Sequence, residues 1–504
     1  MAVNQLKAGA LLNYAIIALN TLVGLLYTPY LLRMLGQSEY GLYSLVASVI
    51  AYLTVLDLGF GNAIIRYTAK YRAEGKVRKQ HELFGMFFIL YFAIGLIVMI
   101  AGSILYLNID NLFGKTMSPA EIGQARIMMV ILVFNLAISF PMGIFSCIIT
   151  AYERFIFPKI INIARILLNT LVMLLLLSMG YKAIAMVVVQ TVFNVLTLII
   201  NYIYCKRELR IKLIFGCFHW SQLKEISIYS FWIFLNVIMD RVYWSTGQFI
   251  LGAVSGTIAI AVFALAIQLQ GMYMQFSTAI SGVFLPKVTG MVALKNNSDE
   301  ISDLFIRTGR IQNIIMFFIL SAFIVFGRPF IILWAGADYA ESYLIALIFF
   351  IALYIPLIQT IGITILQARN QMKFRSLLYI AIALVALVLQ FYAAKEWGAI
   401  GCAAVIAGAL LLGQGLILNI YYHRVQQLNI IKFWREIIKM NLCPILLTIA
   451  AVVFIGQMDI LQWDKFLIAA AIFGAVYIAL LFLFSMNASE RKMMAAPVLN
   501  LIRK

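Results

Sequence analysis

The stretch "LLNYAIIALNTLVGLLYTPYLLRMLGQSEYGLYSLVASVIAYLTVLDLGFGNAIIRYTAKYR", Leu11 to Arg72, reads as two apolar runs joined by a short polar turn. The runs are Gly9–Leu32 and Tyr40–Ile64, separated by a turn carrying Arg33 and Glu39 and followed by six basic residues within Arg66–Lys79. About 20 apolar residues in helical form cross the ~30 Å hydrocarbon layer of a bilayer. Each run therefore predicts one membrane span. Lys7 is the one charged residue ahead of the first run, and no small-residue cleavage site stands near Leu32, so this run reads as a retained span and not a signal peptide.

The same pattern recurs along all 504 residues, of which 64% are apolar and only 12% charged. Water does not tolerate so apolar a surface. The fold class is therefore all-α, a polytopic membrane protein of about 14 transmembrane helices, the seventh expected over Ile226–Val254 and the last over Phe466–Phe484. Met440–Ile455, the thirteenth, is short and contains Pro444. With the N-terminus inside, about 30 of the 38 Lys and Arg residues fall in inner loops and about seven in outer ones. Arg154, Lys159, Arg165 and Arg310 are among those counted inside. This distribution predicts an inner-membrane protein with both termini in the cytoplasm. The net charge of +18 is thereby a topology signal, and nucleic acid is not an expected partner. Two longer inner loops, Cys205–Glu225 and Tyr422–Lys439, mix basic residues with Phe218, Trp220, Phe433 and Trp434, as segments lying on a lipid surface do.

The chain resembles itself at an offset of about 217 residues. "LIINYIY" at Leu198 matches "LILNIYY" at Leu416, "KAIAM" at Lys182 lines up with "GAIGC" at Gly398, and "LGQSEYGLYSLVA" at Leu35 is echoed by "LGAVSGTIAIAVFALAI" at Leu251. Six spans separate equivalent points, so both halves enter the membrane the same way up, a plan shared by many secondary transporters. The expected domains are 1–208, an N-terminal six-helix bundle; 209–225, a cytoplasmic interfacial linker; 226–424, a second six-helix bundle; and 425–504, a linker with helices 13 and 14.

Charges inside spans mark candidate sites, because an unpaired one there costs at least ~2.5–3.5 kcal/mol. Asp57 lies in "LDLGFGN" of the second span, and Asp240 and Arg241 lie in "NVIMDRVYW" of the seventh. Two readings stand. Either these residues pair between helices, or Arg241 offers its fork of donors to a phosphate group while Asp57 or Asp240 binds a coupling H+ or Na+. Arg33 and Arg66 sit at span ends, where snorkelling and substrate contact account for them equally. Asn13, Asn20, Asn135, Gln190, Asn194, Gln268, Gln359, Gln390 and Gln414 are the polar residues able to line a hydrated cavity. His81, His219 and His423 are far apart in sequence and the five cysteines are scattered, so no metal, catalytic cluster or cofactor is expected.

"TPYLLRMLGQSEYGLYSLVASVIAYLTVLDLGFGNAIIRYTAKYR", Thr28 to Arg72, resembles the opening of bacterial polysaccharide and O-antigen flippases of the Wzx type. These belong to the multidrug/oligosaccharidyl-lipid/polysaccharide exporter superfamily. "GQFILGAVSGTIAIAVFALAIQLQGMYMQFSTAISGVFLPKV", Gly247 to Val288, is similar to that family's seventh and eighth spans. The resemblance implies a V-shaped pair of bundles that moves undecaprenyl-diphosphate-linked oligosaccharide between leaflets by alternating access. Its implied partners are that substrate, membrane lipids and polysaccharide polymerase machinery. The implied substrate contacts are Arg241 at depth, Arg66 near loading and Arg33 near release. Two departures narrow the expectation. Gly247 and Gln248 stand where many relatives carry an acid, and Tyr27-Thr28 stand where lipid II flippases carry an Arg-Asp pair. The rival readings are a cation-coupled multidrug antiporter, which Asp57 favours, and a membrane polymerase or ligase, which the short outer loop Asn108–Arg126 disfavours.

Overall fold

The computed structural model describes residues 5–216, 223, 231, 234, 235, 237–293, 298–369, 371–458 and 460–492. Cys217, Phe218, His219, Trp220, Lys224, Lys295, Arg503 and Lys504 lie outside them, as do residues 226–230, 232, 233 and 236 of the seventh expected span and the side chains of Lys7, Pro286 and Lys287. Every described element is helical. In chain order they are α1 (Gln5–Leu53), α2 (Phe60–Ala73), α3 (Val77–Leu107), α4 (Ile109–Phe113), α5 (Pro119–Ala151), α6 (Ile156–Ser178), α7 (Ala183–Arg207) and α8 (Thr246–Val254). They continue as α9 (Thr257–Ala293), α10 (Ser298–Trp334), α11 (Ser342–Ile358), α12 (Thr360–Ala368), α13 (Met372–Leu410), α14 (Leu418–Arg424), α15 (Ile430–Ile455) and α16 (Trp463–Leu480).

Among the described residues ten helical runs are long and apolar enough to cross a membrane, or eleven if the bent pair α11–α12 is one span. Two of the ten, Leu11–Ala73 and Met372–Arg424, run 63 and 53 residues. At 1.5 Å per residue each is far longer than one crossing needs. Both break at a glycine in the left-handed region, Gly36 (φ 75°) and Gly398 (φ 55°). A side chain is strained there, so glycine is what lets the chain turn back. The first break falls between the expected first and second spans, and the second at the opening residue of the expected twelfth span, Gly398–Tyr422. The ten runs thus hold more than ten crossings.

The chain forms two compact units, one of residues 1–264 with 387–399 and the other of residues 265–386 with 400–504. In the first, α3, α5 and α7 pack side by side and α6 lies along α1. Phe60 meets the edges of Phe87 and Tyr91, and Tyr91 stacks on Phe140 at 6.1 Å, joining α2, α3 and α5. In the second, α10 packs against α11 and α15. Its polar residues are absorbed between helices: Asn313 and Asn441 bond each other, and Gln359 bonds Asn419. Interhelix amide pairs of this kind join helices in lipid. Val325, Phe326, Phe466, Phe473 and Tyr477 close the core where α16 joins.

Among the described residues of the second unit, Arg310 and Glu490 form a buried ion pair with a half-exposed third member, Glu436. Arg310 of α10 donates to both carboxylate oxygens of Glu490, at 2.6 and 2.9 Å, to Glu436 of α15 at 2.9 Å and to the carbonyl of Ser485 at 3.3 Å. Burial pushes the Glu490 carboxyl up, but the Arg310 fork and the Asn487 backbone N–H outweigh it and hold the acid below its usual range. Arg310 is therefore an internal clamp on the segment after α16, and more than a topology charge.

Candidate functional site

Inside the first unit α1, α5, α6 and α7 enclose a cavity of about 450 Å³. Asn20, Tyr27 and Tyr43 come to it from α1, Asn135 from α5, and Gln190 and Asn194 from α7. Four of the amides expected to line a hydrated space, Asn20, Asn135, Gln190 and Asn194, are thus brought together. Asn194 donates to Asn135 Oδ1 and to Ser139 Oγ, both at 2.8 Å, and Tyr43 donates to Gln190 at 3.1 Å. The Tyr27 hydroxyl is buried with no partner among the described residues. An orphan hydroxyl carries a desolvation cost of ~1–3 kcal/mol that a bound polar group would offset.

The fourth wall holds what the sequence reading missed. Arg165, Asn169 and Thr170 line the cavity from α6. Arg165 was counted with the inner loops, yet it stands ten residues into a helix that begins at Ile156, roughly 14 Å along its axis. Lys159 likewise lies within α6, where it donates to Asn13 at 2.6 Å. Arg165 donates to Asn162 at 2.9 Å, an amide that leaves its positive charge unneutralised. No carboxylate lines the cavity. One guanidinium among amides and phenols suits an anionic or oxygen-rich guest and disfavours a cation.

The five residues singled out from the sequence fall elsewhere. Asp57 is the last residue of a short 3-10 turn (Thr54–Asp57) where the second span breaks before α2, with Leu58 and Gly59 both at positive φ. It accepts from the Tyr91 hydroxyl at 2.8 Å and from the backbone N–H of Gly59. The acid thereby satisfies a backbone group that the break exposes. Arg241 is half-buried, and its Nε is enclosed with no hydrogen-bond partner among the described residues. Asp240, Arg33 and Arg66 are exposed, and Arg66 lies 5.9 Å from the Tyr67 ring centroid. None of the five lines the cavity.

Residues 6–291 match the family described as "Polysaccharide biosynthesis protein". The chain belongs to that family. A protein of Shigella flexneri assigned to O-antigen transport is 21% identical over 412 residues, covering 78% of this chain and 94% of its own. Among solved structures, the lipid II flippase MurJ in an inward closed conformation superposes with a TM-score of 0.68 at 17% identity, over 94% of this chain and 98% of its own. The MATE multidrug transporter DinF-BH gives 0.56 at 13% identity, over 84% and 96%. The fold is that of the multidrug/oligosaccharidyl-lipid/polysaccharide exporter transporters, as the Thr28–Arg72 stretch suggested.

Proposed function

We propose that this protein is a flippase, not an enzyme, that carries undecaprenyl-diphosphate-linked oligosaccharide repeat units across the bacterial inner membrane by alternating access. The observation that carries the reading is the α1–α5–α6–α7 cavity, with a guanidinium at depth and no acid. A lipid-linked sugar diphosphate presents anionic and hydroxyl oxygens that must leave water, and charge-assisted donors inside the spans replace that hydration. Arg165 and Arg241 are the proposed head-group contacts. Arg66 serves at the loading end and Arg33 at release, the basic loops facing the cytoplasm. Asp57 is the proposed coupling acid for H+ or Na+, with Asp240 as its alternate, and polysaccharide polymerase machinery is the proposed recipient. A cation-coupled drug antiporter would place an acid in the cavity, where the lining residues supply none.

The test is complementation of a deletion strain with Arg165→Ala, reading cytoplasmic-face undecaprenyl-linked repeat units. Loss of one charge-assisted contact lowers export by about 10–100-fold. Full wild-type export by folded Arg165→Ala would remove the cavity from the mechanism. Normal glycans with drug hypersensitivity in the deletion strain would replace the flippase with the antiporter.

A further inference from the structure

Glu121 opens α5, and its carboxylate does two different things. Its Oε2 accepts from the backbone N–H and hydroxyl of Ser118, at 2.8 and 2.9 Å, while its own N–H donates to Ser118 Oγ. That is a capping box, and it accounts for one oxygen. The other oxygen, Oε1, accepts from Ser38 at 2.6 Å and from Thr257 at 2.9 Å. Neither contact serves the cap. Ser38 belongs to the turn between the first two spans, and Thr257 to the start of α9. These are the two stretches, "LGQSEYG" and "LGAVSGT", that echo each other at the 217-residue offset.

The surrounding contacts fix the same three segments. A Cβ on Gly41 would lie 1.9 Å from the Thr257 carbonyl oxygen, so the backbones touch. Thr116 donates to the Gly252 carbonyl at 2.5 Å. Met117, between them, is only 7% exposed. One carboxylate oxygen thus ties together three segments that are far apart in sequence, at the helix ends remote from the basic loops.

We propose that Glu121 is the positioning residue that holds these outer ends closed, and that transport requires Ser38 and Thr257 to release it. The proposal rests on the alternating-access reading, in which the outer ends separate once per cycle, and it makes Glu121 a closing contact and not a substrate ligand. A charged acceptor shared by two hydroxyls gives a contact that is firm when made and lost as a unit when either segment withdraws.

The test places a Met117→Cys reporter in the full-length protein and follows its modification by a membrane-impermeant thiol reagent added outside intact cells. Closed outer ends protect the reporter. Glu121→Ala raises the modification rate about tenfold or more, and Glu121→Asp, which keeps the acceptor, stays near the parent rate. A cap lost without unlatching would leave the rate unchanged, and that result overturns the proposal. In a second arm, oxidation of a Ser38→Cys/Thr257→Cys pair stops glycan export and reductant restores it. Undiminished export by the crosslinked protein overturns it equally. The modification arm needs no substrate, so a changed rate with unaltered lipid-linked glycans would count against the flippase reading and leave the clasp standing.

Discussion

Replacing Arg310 by alanine leaves Glu490, whose side chain is 4% exposed, without its fork and Glu436, 35% exposed, facing the same void. Three charged hydrogen bonds and one to a carbonyl disappear, but their gross strength is not the quantity that matters. What decides is the buried carboxylate that remains, and stranding one partner of an enclosed pair costs ~3–5 kcal/mol. Glu436 retains access to water, so the lower half of that range is expected, about 3 kcal/mol. The double variant Arg310→Met/Glu490→Gln removes both charges and keeps an acceptor for the Asn487 N–H, and should recover at least half of the loss. Thermal midpoints of the purified protein at one fixed scan rate measure both. A single variant that melts with wild type, or a double variant no better than the single, would refute the reasoning. The acid limb follows in sign. Because the folded Glu490 titrates below its unfolded value of ~4.3, its contribution is complete above that pH and disappears as pH falls through the lower folded value. Wild type should therefore lose midpoint below about pH 4.3 more steeply than the double variant.

Other expectations are as direct. Gly41→Ala drives a methyl into the Thr257 carbonyl and should cost ~1–3 kcal/mol, seen as a smaller monodisperse fraction on gel filtration. Tyr27→Phe removes an orphaned buried hydroxyl, so the melting midpoint should hold or rise while export falls; a lowered midpoint would mean the hydroxyl is satisfied. Asp57→Asn keeps an acceptor for Tyr91 and should cost under about 1.5 kcal/mol, yet abolish the dependence of export on the ion gradient. Export by Asp57→Asn that still follows the gradient would remove the acid from coupling.

Much of the fold was legible because hydrocarbon imposes a length and a polarity on every span. The turns at Gly36 and Gly398 could be placed from the ends of apolar runs alone. The cavity was half legible: Asn20, Asn135, Gln190 and Asn194 stood out as amides in lipid, though nothing in a single sequence says that they converge. Arg165 was hidden by the charge count that settled orientation, which assigns each basic residue near a span end to a loop. A guanidinium ten residues into α6 carries the same letter as one at its end. Glu121 and Arg310 were missed for another reason. Their meaning lies in partners 83 to 180 residues away, and spacing along the chain does not encode such meetings.

The Arg310 clamp also has a history within each molecule's synthesis. Its arginine is made 180 residues before the glutamate that receives it. At about 5–20 residues per second, that interval lasts roughly 10–40 s. Glu436 is itself made 126 residues after Arg310. For roughly the first two-thirds of the interval the guanidinium therefore has neither acid and must stay hydrated, and α10 cannot settle to its final depth on insertion. Docking of Glu490 would then be a late step of folding, and a ribosome stalled before it would leave a chain whose arginine holds only the half-exposed Glu436.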